Sequence, residues 1–384
     1  MTIHVFVDSF GLYPSYVVQN VEKYSGTNNS LFVNLSSKPV IYSERIQLLS
    51  GSIRLQKKFV DEIHNPVSCI VFHPYQASCY YFLKFIRKKF PHARICWVFW
   101  SFELYNRPSV YTELLEKFSR NFYRRSQNSV KNKVKQALNY LIPDSLINLR
   151  FFLLDKASVT EKKYIKSFEA VNEFYSLLYH DYLYLTTHFK VPHIRHEKIA
   201  YLSLEKMIPD MNDESPKGDF IMVGHSAGIE GNQYEILTRL SNYDISGKIL
   251  LPLAYGNDDY KNAISRYALS KFQNIEIMEK KLPPEEYYQK LKNVGYCILN
   301  VKVQQGIGNI TALLWYGVKL FLSIKSSTYL DFKQLGMIIY SIEEDLNEGS
   351  LRIRLTENEI KTNKNILHHL LNDNKLSEYW GRLK

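Results

Sequence analysis

Residues 294–323 constrain the fold more than any other part of this sequence. The apolar run 296–301 is typical of a buried strand, and the tight, glycine-bearing loop 305–309 follows it. Apolar residues then recur at helical spacing as far as Gly317, and residues 319–323 form a second strand-like run. A strand, a loop, a helix and a strand make a βαβ unit, so the sequence predicts a parallel α/β sheet.

The loop of this unit indicates an anion-binding site. Free backbone N–H groups and the helix dipole favour an anion at a helix N-terminus, and glycines at positions such as Gly306 and Gly308 let a phosphate approach the backbone closely. We expect the loop to hold the diphosphate of a sugar nucleotide. A βα turn whose glycines serve geometry alone is the alternative, because the spacing is neither G-x-G-x-x-G nor a P-loop.

The rest of the chain repeats the α/β pattern in two series. Strand-like runs at 3–7, 68–72 and 94–100 precede helical segments, and a second series begins at Phe220. A chain of 384 residues is longer than one hydrophobic core usually accommodates. We therefore expect two α/β domains. The expected boundaries are 1–210, with a basic helical segment facing a membrane, 218–364, and a C-terminal helix at 365–384.

Polar residues follow several strands, where ligands bind in parallel sheets. In the N-terminal half these are Asp8, His73 and Glu103, and we expect one of them to act as a general base on a hydroxyl group. His73 could instead be a hydrogen-bonded structural residue, and Glu103 could cap a turn or pair with Arg107.

The loop 224–228, Gly-His-Ser-Ala-Gly, follows the strand that begins at Phe220 and is a second candidate for phosphate or sugar contacts. Its central Ser226 also matches the G-x-S-x-G nucleophile elbow, which makes a hydrolase the main catalytic rival. Several residues separate the serine from the next helix, whereas an elbow turns sharply.

No metal or cofactor is expected. Asp258-Asp259 lacks the Asp-x-Asp spacing that brings two carboxylates to one cation, and no His or Cys spacing suits zinc. Backbone N–H groups and basic side chains would then neutralise a leaving diphosphate.

The net charge of +11 favours an anionic partner. The segment 113–189 looks helical, and its basic residues Arg120, Arg124 and Arg125 are interleaved with aromatic ones. This pattern suits an anionic membrane surface, single-stranded nucleic acid or a solvated helix face. No signal peptide opens the chain and no apolar run is long enough to span a bilayer, so we expect a cytoplasmic protein, peripheral on the inner face of the membrane.

Several of these motifs together resemble the family 56 glycosyltransferases. The main match is the segment 304–308, Gln-Gln-Gly-Ile-Gly, with its flanking strand and leucine-rich helix. The Val223-Gly224-x-Ser226 loop with Asn232 also resembles the family, as does the segment 252–260 through Pro252, Tyr255, Asn257 and Tyr260. In the N-terminal half, the segment 97–105 resembles a Trp-x-x-Trp-Gly-x-Asp-Leu-Tyr motif, with Ser101 for the glycine and Glu103 for the aspartate.

The resemblance implies a GT-B fold, in which two Rossmann-like domains enclose the active site in a cleft. It also implies transfer of a sugar such as Fuc4NAc from a TDP-sugar to a polyprenyl-diphosphate-linked saccharide, as in the synthesis of enterobacterial common antigen or O-antigen. The expected substrate-binding residues are Gly224, Ser226, Asn232, Tyr255, Asn257, Gln304, Gln305, Gly306, Gly308, Asn309 and Thr311. A sugar-nucleotide epimerase on the same fold and a basic nucleic-acid-binding protein remain the alternatives; the transferase reading expects no nucleic-acid partner.

Overall fold

The computed structural model describes residues 1–7, 13–25, 29–36, 43–127, 142–208, 211 and 218–383. These residues form two compact units. The first contains the described parts of 1–104, 131–202 and 373–384, and the second those of 105–130 and 203–372.

Each unit is built on a parallel sheet. In chain order the strands are β1 Thr2–Phe6, β2 Ser30–Asn34, β3 Ile46–Leu48, β4 Cys69–His73, β5 Arg94–Val98, β6 Glu173–Tyr175, β7 Arg195–Glu197, β8 Phe220–Val223, β9 Ile249–Pro252, β10 Ile275–Met278, β11 Val294–Leu299, β12 Lys319–Leu322 and β13 Tyr340–Ser341. Within the described residues, the first sheet has the order β3-β2-β1-β4-β5-β6-β7 and the second β10-β9-β8-β11-β12-β13. The central strands read as continuous apolar runs because helices cover both faces of such sheets.

Helices alternate with these strands. They are α1 Tyr13–Asn20, α2 Ile53–Glu62, α3 Tyr80–Lys89, α4 Phe102–Tyr105, α5 Pro108–Tyr111, α6 Lys117–Gln127, α7 Asp144–Leu153, α8 Glu161–Lys166, α9 Tyr179–His188, α10 Leu204–Met207, α11 Gln233–Leu240, α12 Asp258–Lys271, α13 Pro284–Leu291, α14 Ile307–Trp315, α15 Ser327–Gln334, α16 Glu357–Leu371 and α17 Asp373–Gly381. In the described part of the chain, no helix combines the length and the apolar character needed to cross a bilayer.

The predicted α/β alternation is confirmed, with two local differences. The segment 113–189, expected to be helical, contains β6, whose three residues are buried and pair with β5. Three residues are too few to produce a readable period in the sequence. The expected terminal helix is two helices, because the backbone of Asn372 is extended between α16 and α17.

The two units differ from the expected boundaries at two places. The described residues of 105–130 group with the second unit, where Phe122 of α6 packs on Tyr260 of α12. The described residues of 373–384 group with the first unit, where the indole of Trp380 stacks on His73 at a centroid distance of 6.2 Å. Most of the expected linker between 209 and 217 lies outside the described residues.

Candidate active site

In the second unit, the loops after β8 and β11 lie at the point where the strand order reverses, which is where such sheets bind ligands. The two loops approach each other closely. Gly224 donates its N–H to the carbonyl of Ile298 at 3.0 Å, and a Cβ built on Gly306 would lie 3.3 Å from the ring of His225. Gly306 has φ +65°, which is left-handed backbone, so both its conformation and its close neighbour favour glycine.

Gly306 is the N-cap of α14 and offers no side chain to the first amides of the helix. The early N–H groups of a helix have no intrahelical acceptor, so those of residues 307–309 remain for a ligand. Gly308 is exposed, and among the described residues no atom lies within 4 Å of a Cβ built on it. The start of α14 is therefore open around Gly308, and anion binding there stays a prediction.

Gln304 and Thr311 flank this helix start with polar atoms that lack protein partners. The Oε1 atom of Gln304 and the Oγ1 atom of Thr311 are both buried, and no described residue forms a hydrogen bond with either. Buried polar atoms are usually satisfied, so orphaned ones indicate a place for water or ligand. Asn309 is partly buried in the first turn of α14.

Gln305 has a partner inside the unit. Its Nε2 donates to Oε1 of Glu230 at 2.9 Å, and the hydroxyl of Tyr111 donates to Oε2 of the same carboxylate at 2.7 Å. Glu230 thus fixes Gln305 beside the loop that begins at Gly224. Burial raises the pKa of Tyr111, and the negative charge of the nearby Glu230 raises it further. The hydroxyl therefore stays protonated and acts as a donor.

His225 was absent from the expected site residues, although it stands between two of them in sequence. Its ring packs on Gly306, and none of the described residues forms a hydrogen bond with its nitrogens. Burial lowers the pKa of His225, while the charge of Glu230 opposes that shift. The imidazole is therefore neutral in the unliganded protein and lies beside the open start of α14. The signal that could have identified it was its place in a loop directly after a strand.

Lys302 is a second residue that the sequence analysis missed. It lies in the loop after β11, and burial lowers its pKa. Glu116 opposes that shift, and the neighbouring cations Lys325 and Arg120 lower the pKa further. A cluster of basic side chains therefore lies near this edge of the sheet and could neutralise phosphate charge.

Ser226 is buried and tied to its own loop. Its Oγ accepts from the amide of Gly228 at 3.4 Å, and its carbonyl accepts from Nε2 of Gln233 at 2.5 Å. A nucleophile elbow needs a base in contact with the serine hydroxyl, and no histidine among the described residues contacts this Oγ. The geometry does not favour the hydrolase alternative.

Asn232 is held inside the unit. It has left-handed backbone at φ +48° and is fully buried. Its Oδ1 accepts from the amide of Glu116 at 2.8 Å, and its Nδ2 donates to the carbonyls of Leu114 and Asn300 at 3.1 and 3.0 Å. These bonds fix the segment before α6 and the loop after β11. The side chain of Asn232 therefore has a structural role in this unit.

Tyr255 and Asn257 form the rim after β9. The amide of Ala227 donates to the carbonyl of Tyr255 at 2.7 Å, and the amide of Asn257 donates to the carbonyl of Ala227 at 3.0 Å. The side chain of Asn257 accepts from the amide of Tyr260 at 2.8 Å and so caps α12. Tyr255 is 58% exposed.

In the first unit, His73 is held by bonds on both ring nitrogens. Its Nε2 lies 3.1 Å from Nδ1 of His4, its Nδ1 lies 3.2 Å from the hydroxyl of Tyr201, and Trp380 covers its face. Burial, with a smaller contribution from His4, lowers the pKa of His73 well below its usual value. This arrangement resembles a structural histidine more than a general base.

Glu103 follows β5 in the first unit and is buried. Its Oε1 accepts from Nε1 of Trp97 at 3.1 Å and from the amide of Trp100 at 2.8 Å. Ser101 has φ +84°, a conformation that favours glycine, which explains why the resembling motif has glycine at this position. Asp8 lies outside the described residues.

Among the described residues, no group of three His, Cys, Asp or Glu side chains is arranged to hold a metal ion. Within the part of the chain that the structure describes, the groups at the start of α14 that could meet an anion include backbone amides and the ring of His225.

A family model and several solved structures match this chain. Residues 186–369 match the model of the family described as 4-alpha-L-fucosyltransferase glycosyl transferase group 56, which confirms the family resemblance over that range. An UDP-forming alpha,alpha-trehalose-phosphate synthase from Burkholderia xenovorans is similar over 99% of this chain and 97% of its own, with TM-score 0.62 and 9% identity. The sucrose-phosphate synthase of Thermosynechococcus elongatus matches over 100% and 98%, with TM-score 0.61 and 10% identity. An E. coli structure bound with UDP-2-fluoro glucose matches over 100% and 97%, with TM-score 0.59 and 8% identity. The fold is GT-B.

Proposed function

We propose that this chain, which is a glycosyltransferase of the GT-B fold, transfers an acetamido-deoxy sugar such as Fuc4NAc. The donor would be a TDP-sugar and the acceptor a polyprenyl-diphosphate-linked saccharide, in the synthesis of a surface polysaccharide such as enterobacterial common antigen or O-antigen. The enzyme would work in the cytoplasm, peripheral on the inner membrane face. The observation that carries the proposal is the open start of α14 beside His225, within the range that matches the family.

The donor diphosphate would bind at the amides of residues 307–309, with the loop from Gly224 to Ser226 opposite. Thr311 would offer its unpartnered hydroxyl, and Tyr255 and Asn257 would lie near the nucleoside. In the reaction, an acceptor oxygen bonds to the anomeric carbon as the bond from that carbon to the diphosphate breaks. The diphosphate leaves with additional negative charge, and backbone dipoles with basic side chains stabilise it without a metal ion.

The acceptor proton needs a base, and the hydrogen bonds favour Glu103 over His73. Both nitrogens of His73 are already engaged within a buried cluster. Glu103 is also buried, and two N–H donors meet its Oε1, but a carboxylate has further acceptor lone pairs that could take a proton from a hydroxyl that reached it. Asp8 remains a further candidate from its place after β1.

Gly308 offers a direct test of the donor site. Valine there would place two methyl groups where the anion is proposed to bind, in space that the protein leaves open. Because glycine is itself a poor helix former, Gly308→Val should fold normally, while affinity for TDP should fall by about tenfold or more, as for the loss of a charge-assisted hydrogen bond.

The measurement is a thermal-shift and calorimetric titration with TDP, UDP, GDP, CDP and ADP. Gly381→Ala is the matched control, since that glycine also has free space around a built Cβ but lies in α17 of the first unit. TDP should give the largest shift for wild type and control. Equal TDP affinity in Gly308→Val and wild type would remove the proposed diphosphate site, and preference for another base would correct the donor.

A further inference from the structure

Helix α7 in the first unit exposes a stripe of large apolar side chains. Their exposed fractions are 55% for Leu146, 50% for Leu149 and 71% for Leu153. Steps of three and four residues place these side chains on one helix face. None of the ten residues of α7 is buried. Single exposed leucines are common in soluble proteins, but a contiguous stripe marks an interaction surface.

The other side of α7 is fixed to the first unit. Asn148 donates to Oγ1 of Thr160 at 3.2 Å and accepts from its amide at 3.0 Å. The ring of Phe152 lies 6.1 Å from that of Tyr81. The helix is thus anchored through its polar and aromatic contacts, and the leucine stripe is presented outward.

Charge on and beside α7 in the first unit indicates an anionic partner. Residues 144–166, which contain α7 and α8, include five Lys or Arg and three Asp or Glu. On the first unit, Arg150 is exposed on α7 itself, and the ammonium of Lys163 lies 4.9 Å from the ring centroid of Tyr80. Lys84 adds to the positive charge at Lys163. A second copy of the chain would bring the same excess of cations to the interface, which like charges disfavour.

We infer that the stripe formed by Leu146, Leu149 and Leu153 docks on an anionic lipid bilayer. The leucines enter the headgroup region, and Arg150 with the neighbouring lysines meets lipid phosphates, as in other interfacial helices. The inference deepens the proposed function, because a polyprenyl-linked acceptor resides in a bilayer. Docking itself needs neither donor nor acceptor, so it can fail or succeed independently.

The test uses the full-length chain and vesicles of phosphatidylcholine, with or without phosphatidylglycerol. Leu149→Ser with Leu153→Ser removes apolar area without changing charge. Both side chains are exposed, so the fold should be retained, and the thermal unfolding midpoint checks this. The matched control is Leu269→Ser, which removes a leucine that is 62% exposed in α12 of the second unit.

Wild type and control should sediment with the anionic vesicles, less so at high salt. The double variant should lose about tenfold or more of this partitioning, since each leucine contributes apolar burial. Equal partitioning of the double variant and the control would overturn the inference. A concentration-dependent dimer abolished by the double variant, without vesicle binding by wild type, would assign the stripe to a protein interface instead.

TDP affinity separates the two proposals. The double variant should bind TDP as wild type does, because the substituted leucines lie outside the second unit. Vesicle binding without any TDP binding would support docking while refuting the donor assignment.

Discussion

At the scale of residues, three buried histidines differ in the hydrogen-bond partners of their imidazole rings. This difference decides which of them could respond to a bound anion. Burial lowers the pKa of His4 to about 3 and the pKa values of His73 and His225 in the same direction. His4 and His73 bond to each other, whereas His225 faces Gly306 without a protein hydrogen bond among the described residues. His225 is the one whose protonation a bound anion would change most.

Donor binding should therefore couple to proton uptake at His225. Free His225 has a lowered pKa and is neutral, and an adjacent diphosphate would raise that pKa by favouring the imidazolium. Between the free and the bound pKa values, TDP affinity should increase as pH falls, because binding then takes up a proton.

Calorimetry in two buffers of different ionisation enthalpy measures that uptake. TDP also titrates, so the comparison is between wild type and His225→Asn with the same ligand. His369→Asn, at an exposed position of α16, is the control and should behave as wild type. Identical proton uptake by wild type and His225→Asn would exclude this role for the histidine.

At the scale of elements, α6 and α17 belong to units that their positions in sequence do not suggest. The apolar face of a helix shows that it packs somewhere, but not against which sheet. Glu235 of α11 holds α6 in the second unit. Its Oε2 accepts from the hydroxyl of Ser119 at 2.8 Å, and its Oε1 accepts from the Ser119 amide at 3.0 Å. For α17 it is Trp380, whose Nε1 donates to the carbonyl of Ala200 at 2.9 Å.

Removing the Trp380 side chain should destabilise the first unit. Trp380 is fully buried and covers His73, so Trp380→Ala should lower the free energy of unfolding by roughly 3–5 kcal/mol, the usual cost of deleting a large buried aromatic side chain. Denaturant unfolding followed by far-UV circular dichroism measures this. Lys375→Gln, which disrupts an exposed ion pair in the same helix, should change the free energy by less than about 0.5 kcal/mol. Similar midpoints for the two variants would contradict the anchoring role of Trp380.

At the scale of the whole molecule, the α/β class and most central strands could be predicted, because long buried strands read as apolar runs. The short strands β3, β6 and β7, of three residues each, could not, since their pairing depends on neighbours distant in sequence. The loop with Gly306 and Gly308 could be placed at a helix start, because glycines mark turns between elements; anion binding there stays a prediction. Asn232 was expected among the substrate-binding residues, but its side chain forms hydrogen bonds with backbone groups of Glu116, Leu114 and Asn300 inside the second unit. His225 and Lys302 were missed because a single histidine or lysine in a loop carries no pattern.

The donor site can be examined most directly in a crystal structure of the protein with TDP. The diphosphate should lie within hydrogen-bond distance of the amides of residues 307–309, with His225 beside it and the thymine near Tyr255. A diphosphate bound elsewhere, with the start of α14 left to solvent, would contradict the proposed donor site.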